Sequence, residues 1–343
     1  MAKILVIRLS AIGDVAMTVP VIYSLATQYP QHHITVLSKS NMSALFAQMP
    51  ANVSFKGIDV KGRHQGWNGL NVLYKELKKE AYDYIADFHD VLRTKYLRLR
   101  FRLDGKKVAH IDKGRAEKKA LTRRDNKVKV QLKTSFQRYT DVLERLGFTI
   151  TNDFHSIFGN GKGDISSLQT LTGEKGKGHW IGIAPFATHE GKIYPWEQMK
   201  EVIATLAAKE DVKVFLFGGG KKETDLLTEM EKKHSRAVCI AGKLKWNTEL
   251  ALMSHLDVMV SMDSGNMHLA SMVGTPVVSI WGATHPYAGF MGWEQSADHA
   301  VQTDLPCRPC SIFGNKPCFR GDYACLHSIS PESIVERIEK FIV

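Results

Sequence analysis

No run of eighteen apolar residues occurs in the chain, and the nearest, Ile4 to Ala26, is broken by Arg8, Ser10, Asp14, Thr18 and Pro20. A bilayer-spanning helix of the usual length is thereby excluded. The same polar residues interrupt what would be the apolar stretch of a secretory leader, so a cytoplasmic location is expected. Cysteine is scarce, with 5 in 343 residues, and a fold stapled by disulfides is not implied at this length. The turn after the first apolar run holds one glycine, Gly13, and lacks the G-x-G-x-x-G of a dinucleotide site, which argues against a dehydrogenase.

What is present suffices for large cores. Hydrophobic residues make up 44% of the chain, charged residues 24% and aromatics 9%, a globular composition. The length exceeds what one core usually serves, so two domains are expected. Lys+Arg 46 against Asp+Glu 35 gives +11, and the excess is local. From Arg93 to Lys133 sixteen cations face four acids (Asp104, Asp112, Glu117, Asp125), a surplus of 12 that leaves 11 − 12 = −1 for the rest. Such a field attracts nucleic-acid phosphates, anionic lipid headgroups or an acidic substrate. Only Tyr96 and Phe101 stand among those charges, too few to stack bases, so nucleic acid is disfavoured.

Hydrophobic patterning alternates strand and helix. Ile4 to Ile7 is a strand followed by a tight turn and a helical pattern at Val15, Val19, Ile22 and Leu25. Further strands are expected at Ile34 to Ser38, Val53 to Val60, Asp83 to His89 and Val108 to Asp112, with helices at 41–49, 69–80, 93–102 and 135–146 between and after them. The stretch from Gly147 to Gly178 is rich in glycine and polar residues and reads as a linker. The alternation then restarts, with strands at 180–186, 212–217, 237–241, 258–262 and 276–281. Ser330 and Pro331 open a last amphipathic helix as N-cap and first-turn residue. The expectation is an α/β protein of two Rossmann-like, doubly wound parallel-sheet domains with an interdomain cleft. Its parts are 1–160, a linker at 161–178, a second domain at 179–329, and a helix at 330–343 that crosses back to the first.

Ligands of such sheets bind at the carboxyl ends of strands. Four turns there carry chemistry. Asp14 follows the first strand, as a reactive carboxylate or as a helix cap. Met262-Asp263-Ser264-Gly265-Asn266-Met267-His268 ends a strand and opens a helix, an arrangement suited to a diphosphate, or to a capped helix with a half-buried histidine. Thr188 and Lys192 lie on a loop approaching the helix that starts at Pro195. Gly218-Gly-Gly220 precedes Glu223, an acid placed to meet ribose hydroxyls.

Together, Ile4-Leu-Val-Ile-Arg8-Leu-Ser-Ala-Ile-Gly13-Asp14-Val, Lys192-x-Tyr-Pro195 and Asp263-Ser-Gly-Asn-Met-His268-Leu-Ala resemble glycosyltransferase family 9, and the resemblance covers essentially the whole chain. It implies a GT-B fold with an acceptor-binding first lobe, a nucleotide-sugar-binding second lobe and an inverting transfer. Asp14 would be the general base; Lys192 would be catalytic with Thr188, neutralising the leaving group. Asp263, Ser264, Gly265, Asn266 and His268 would hold the diphosphate and Glu223 the ribose, while Ser10, Gly13, Arg93 and Lys95 would meet the acceptor. Relatives commonly have Trp where Tyr194 stands, and some have Thr at the position of Ser264. The implied partners are ADP-heptose or a related nucleotide sugar, a lipopolysaccharide core acceptor, and anionic lipid of the inner leaflet, to which the protein would be peripheral. No D-x-D-like pair stands near these turns, so no cofactor is expected for catalysis. Another donor or glycan, and a noncatalytic sugar-nucleotide or polyanion-binding protein, are the alternatives. Cys307, Cys310, Cys318 and Cys325 crowd together as C-x2-C-x7-C-x6-C, readable as structural zinc or as four free thiols.

Overall fold

The computed structural model describes residues 1–342, which divide into two compact units. The first comprises Met1–Lys113 and Lys133–Ile157; the second comprises Gly114–Leu132 and the chain from Phe158 onward.

In the first unit five parallel strands, β1 (Lys3–Ile7), β2 (His33–Lys39), β3 (Val53–Ile58), β4 (Tyr84–Asp87) and β5 (Lys107–His110), lie in the order β3-β2-β1-β4-β5. Ile4 to Ile7 are wholly buried, as a strand covered on both faces requires. The strand order reverses between β1 and β4, where Ile7 pairs with Asp87. The loops that leave these two strands diverge to opposite faces and open a crevice.

The second unit repeats the plan with six parallel strands: β6 (His179–Ala184), β7 (Val212–Leu216), β8 (Ala237–Cys239), β9 (Val258–Met262), β10 (Val277–Trp281) and β11 (Ala300–Gln302). Their order is β11-β10-β9-β6-β7-β8, so the reversal falls between β6 and β9. Ile181, Ile183, Val260 and Met262 form its core with Met199, Val202 and Ile203 of the helix Trp196–Ala207.

The structure redraws three expected boundaries. The final helix, Pro331–Glu339, buries Ile334 and Ile338 in the core of the second unit instead of crossing to the first. Its apolar stripe finds a matching face on the helix Trp196–Ala207, while Ser330 caps it as expected, accepting from the Ser333 amide. Residues 161–178 are part of the second unit, because Gly163 packs where a side chain would strike the Ala251 backbone and its amide donates to Ser254 at 2.9 Å. Within the basic segment, 114–132 leaves the first unit and joins the second. There Leu121 and Leu132 pack with Ala288, and the Leu132 amide donates to the Tyr287 carbonyl at 2.9 Å. The helical pattern after β1 is also divided, into Ile12–Ala16 and Val19–Gln28. Pro20 has no amide to continue a ladder, and it sits in the first turn of the second piece, where none is needed.

Candidate functional site

Each unit presents chemistry at its own point of strand reversal. In the first, Arg8 directly follows β1. One terminal nitrogen lies 2.7 Å from Asp14 Oδ1, and the other donates to the Phe88 carbonyl beyond β4 at 2.8 Å. Asp14 Oδ2 accepts from the Ala11 amide at 3.0 Å. The carboxylate is thus held by a guanidinium and a main-chain donor, and its remaining lone pairs face a partly open surface. Gly13 is buried inside the same turn and Ser10 is half-buried.

His89 belongs to this group and was not singled out by sequence. Its Nδ1 accepts from the Leu9 amide at 3.3 Å, which assigns the ring proton to Nε2. Burial, and then the charges of Arg8 and Lys113, push it down to about 3, so the ring is a neutral donor at any physiological pH. Only its position beside β1 reveals it, which no local pattern encodes. Asp87 is fully buried, accepts from the His89 and Asp90 amides and lies 3.2 Å from Arg98, which also pairs with Asp90. Arg93 and Lys95 lie in the first turn of the helix Leu92–Leu103; Lys95 is exposed, 3.9 Å from Asp90.

In the second unit the loops after β6 and β9 meet. Lys192 Nζ lies 2.8 Å from Asp263 Oδ2, both side chains being largely buried. The Asp263 carboxylate faces Lys192 and orients that ammonium. Ser264 is the N-cap of the helix Gly265–Met272, yet its side chain does not cap it, and its hydroxyl lies 3.2 Å from that of Ser261. The first-turn amides, Gly265 and Asn266 among them, have no carbonyl acceptor within the helix. Amides, a hydroxyl and an oriented ammonium at a helix N-terminus are donor types that suit an anion. His268 is buried one turn further on, and Thr188 is exposed on the Lys192 loop.

Glu223 lies in the first turn of the helix Gly220–Lys233 and accepts from the Gly219 amide at 2.8 Å, closing the glycine turn after β7. Tyr194 fixes the Lys192 loop from below. Its hydroxyl donates to the Ile329 carbonyl at 2.8 Å, and its burial raises the phenol.

The back wall of Lys192 was not legible beforehand. Gly191 accepts from the Ala283 amide at 2.8 Å, and Gly314, in the left-handed region at φ +72°, lies so close that a side chain there would meet the Lys192 stem. Arg308 is buried behind them, donating to the carbonyls of Trp281, Gly282, Thr284 and Thr303 and to the Gln302 side chain. The segment bearing four cysteines is therefore a scaffold for the lysine loop. All four are free thiols, and among the described residues no three His, Cys, Asp or Glu side chains are placed to hold a metal ion. Cys310 Sγ points to the Ala283 carbonyl at 3.8 Å, Cys318 Sγ to Asp322 at 4.0 Å, and Cys325 is buried in the core, with Cys307, Cys310 and Cys318 near enough for their charges to act on its thiol.

Comparison with known proteins bears on the family and the fold. A family model described as glycosyltransferase family 9 (heptosyltransferase) matches residues 70–316. The chain is 25% identical over 291 residues to the lipopolysaccharide core heptosyltransferase OpsX of Haemophilus influenzae, covering 82% of this chain and 79% of that protein. Among solved structures, a family 9 glycosyl transferase from Veillonella parvula matches with a TM-score of 0.75 at 21% identity, over 99% of this chain and 97% of that one. The ADP-heptose LPS heptosyltransferase II of Escherichia coli matches at 0.70 and 18%, over 99% and 98%.

Proposed function

Because the chain belongs to glycosyltransferase family 9 and has its two-domain GT-B fold, we propose that it transfers heptose from ADP-heptose to a hydroxyl of a lipopolysaccharide inner core, with inversion and without a metal. The acceptor hydroxyl gives its proton to Asp14 as its oxygen bonds to the anomeric carbon. The bond from that carbon to the diphosphate breaks on the opposite face, and the electron pair leaves with ADP. Negative charge grows on the diphosphate in the transition state, where donors fixed beforehand are most effective. Lys192, the Gly265 and Asn266 amides, Ser264 and Thr188 supply them, with His268 beside them. Glu223 meets the ribose through the oxygen it does not spend on Gly219, and Ser10, Gly13, Arg93 and Lys95 address the acceptor.

The observation that carries this reading is the Lys192–Asp263 pair of 2.8 Å at the mouth of a helix that its own N-cap leaves uncapped. A buried lysine held in place is a substitute for a divalent cation at a leaving diphosphate. The acceptor is lipid-borne, so the enzyme works at the cytoplasmic face of the inner membrane, with anionic lipid as a partner.

The test is calorimetric titration with ADP, UDP, GDP and CDP in EDTA, followed by transfer from ADP-heptose in the same buffer. Selective ADP binding and an inverted product are expected. Preference for another nucleotide overturns the donor, and loss of transfer on chelation overturns the metal-free mechanism.

A further inference from the structure

The helix Leu92–Leu103 has two apolar faces. Thr94, Leu97 and Phe101 point inward and are buried. On the opposite side Leu92, Leu99 and Leu103 are 69%, 57% and 76% exposed. Separations of seven and eleven residues are close to whole numbers of helical turns, so the three form one stripe along the axis. Lys95 and Arg102, both exposed, flank it on one side. Trp67, 60% exposed, extends it from the neighbouring helix and packs edge-on to Tyr96, with ring centroids 5.8 Å apart. A surface helix that needs only one buried face has no structural use for this second one.

The surrounding charge is positive. The nearby acids are engaged: Asp104 by Lys78 at 2.7 Å and by Tyr74, and Asp90 by Arg98 at 3.1 Å. By contrast, several cations of 114–132 are committed within the second unit, where Lys118 covers the Phe290 ring, Arg124 the Phe319 ring, and Lys127 donates to the Pro309 carbonyl at 3.0 Å. The basic region recognised in the sequence thus separates into a structural half and an outward half, and only the outward half carries a leucine stripe.

We propose that the outer face of Leu92–Leu103, continued by Trp67, docks on an anionic lipid bilayer, with its leucines among the acyl chains and Lys95 and Arg102 at the headgroups. Soluble polyanions would need the cations but not the leucines; leucine and tryptophan beside lysine and arginine match an interface that is apolar below and anionic above. No described helix is long and apolar enough to cross a membrane, so attachment through this face is peripheral. The inference rests on the reading that the acceptor is carried on lipid, and it names the surface that reaches it.

The test uses the full chain and vesicles of phosphatidylcholine with or without phosphatidylglycerol. Wild type is expected to cosediment with the anionic vesicles and less with the neutral ones. Leu99→Ser with Leu103→Ser should lower the partition about tenfold or more, and Arg102→Gln should lower it several-fold at low salt only. These residues lie outside the nucleotide turns, so ADP affinity, melting temperature and transfer to a soluble core oligosaccharide should stay at wild-type values. An unaltered partition in the folded double variant overturns the proposal. So does a wild-type dimer, seen by sedimentation, that the double variant dissolves, since the stripe then belongs to a second copy. Failure of the glycosyl-transfer reading would appear separately, as absence of ADP binding or turnover in wild type.

Discussion

Arg8 and Asp14 form an ion pair of 2.7 Å across the turn that leaves β1, and the same guanidinium holds the Phe88 carbonyl after β4. The carboxylate is therefore positioned by the strand junction itself. Asp14→Asn is expected to lower turnover by about 10²–10⁴-fold, as loss of a general base does, with ADP affinity unchanged by calorimetry. Arg8→Lys keeps a charge but cannot bridge both partners. It should cost about 10²-fold in kcat through misplacement of the base, and little in the KM for the donor. Wild-type turnover in Asp14→Asn would return this residue to the role of a helix cap.

Lys192 and Asp263 depend on each other in a different way. Removing one partner leaves a largely buried charge unpaired, so Lys192→Met or Asp263→Asn alone should destabilise by about 3–5 kcal/mol. Combined, the two substitutions should recover most of that stability, because the pair is neutralised together. Activity should stay about 10²–10³-fold down in the double variant, as when a transition-state donor is lost. Thermal melts and steady-state rates on the three variants separate the packing role from the chemical one.

Glu249, in the first turn of the helix Trp246–Met253, is pushed up to about 7 by burial alone. The folded state then holds a proton that the unfolded chain releases near 4.5. Stability contributed by this group falls as pH rises from there to about 7 and stays at its lowest above. Glu249→Gln should stabilise at pH 8 by about 1–3 kcal/mol and change little at pH 4. Equal shifts in melting temperature at both pH values would refute the assignment.

Arg308 is expected to act on the reaction through the Lys192 loop. Arg308→Lys keeps the charge but loses the planar fan that binds five acceptors, and it should not rescue Arg308→Met. Both variants should lower kcat and weaken ADP binding, and both should loosen backbone amide exchange at Gly191 and Ala283. Unchanged exchange at those amides would make Arg308 a purely distant stabiliser.

Much of this was legible in the sequence because strands and helices leave local periodicity. Val258–Met262 coincides with its sequence expectation, and the turns at Asp14, Lys192 and Asp263 fall at the strand reversals that alternating patterns imply. What stayed hidden depends on contacts between distant residues. Nothing around Asp263 announces that its carboxylate faces Lys192, and His89 matters only because β4 lies beside β1. Cysteine spacing showed that four thiols crowd together, as Cys307, Cys310 and Cys318 do around Cys325, but not that Cys310 is seated against the Ala283 carbonyl behind Lys192. Charge counting found the basic segment and missed the leucines, since periodicity shows that Leu92 and Leu97 differ in azimuth without showing which one is covered.

The passage of residues 114–132 into the second unit means that no single cut in the chain releases either unit whole. A fragment starting at Phe158 would lack Leu121 and Leu132 and leave Ala288, Phe290 and Ile312 without their cover. A fragment ending at Ile157 would carry a cationic loop with nothing to pack on. The two halves are thus not modular in the genetic sense: swapping the second unit between relatives would require three crossovers, two bounding this excursion and one near residue 158, if the hybrids are to fold.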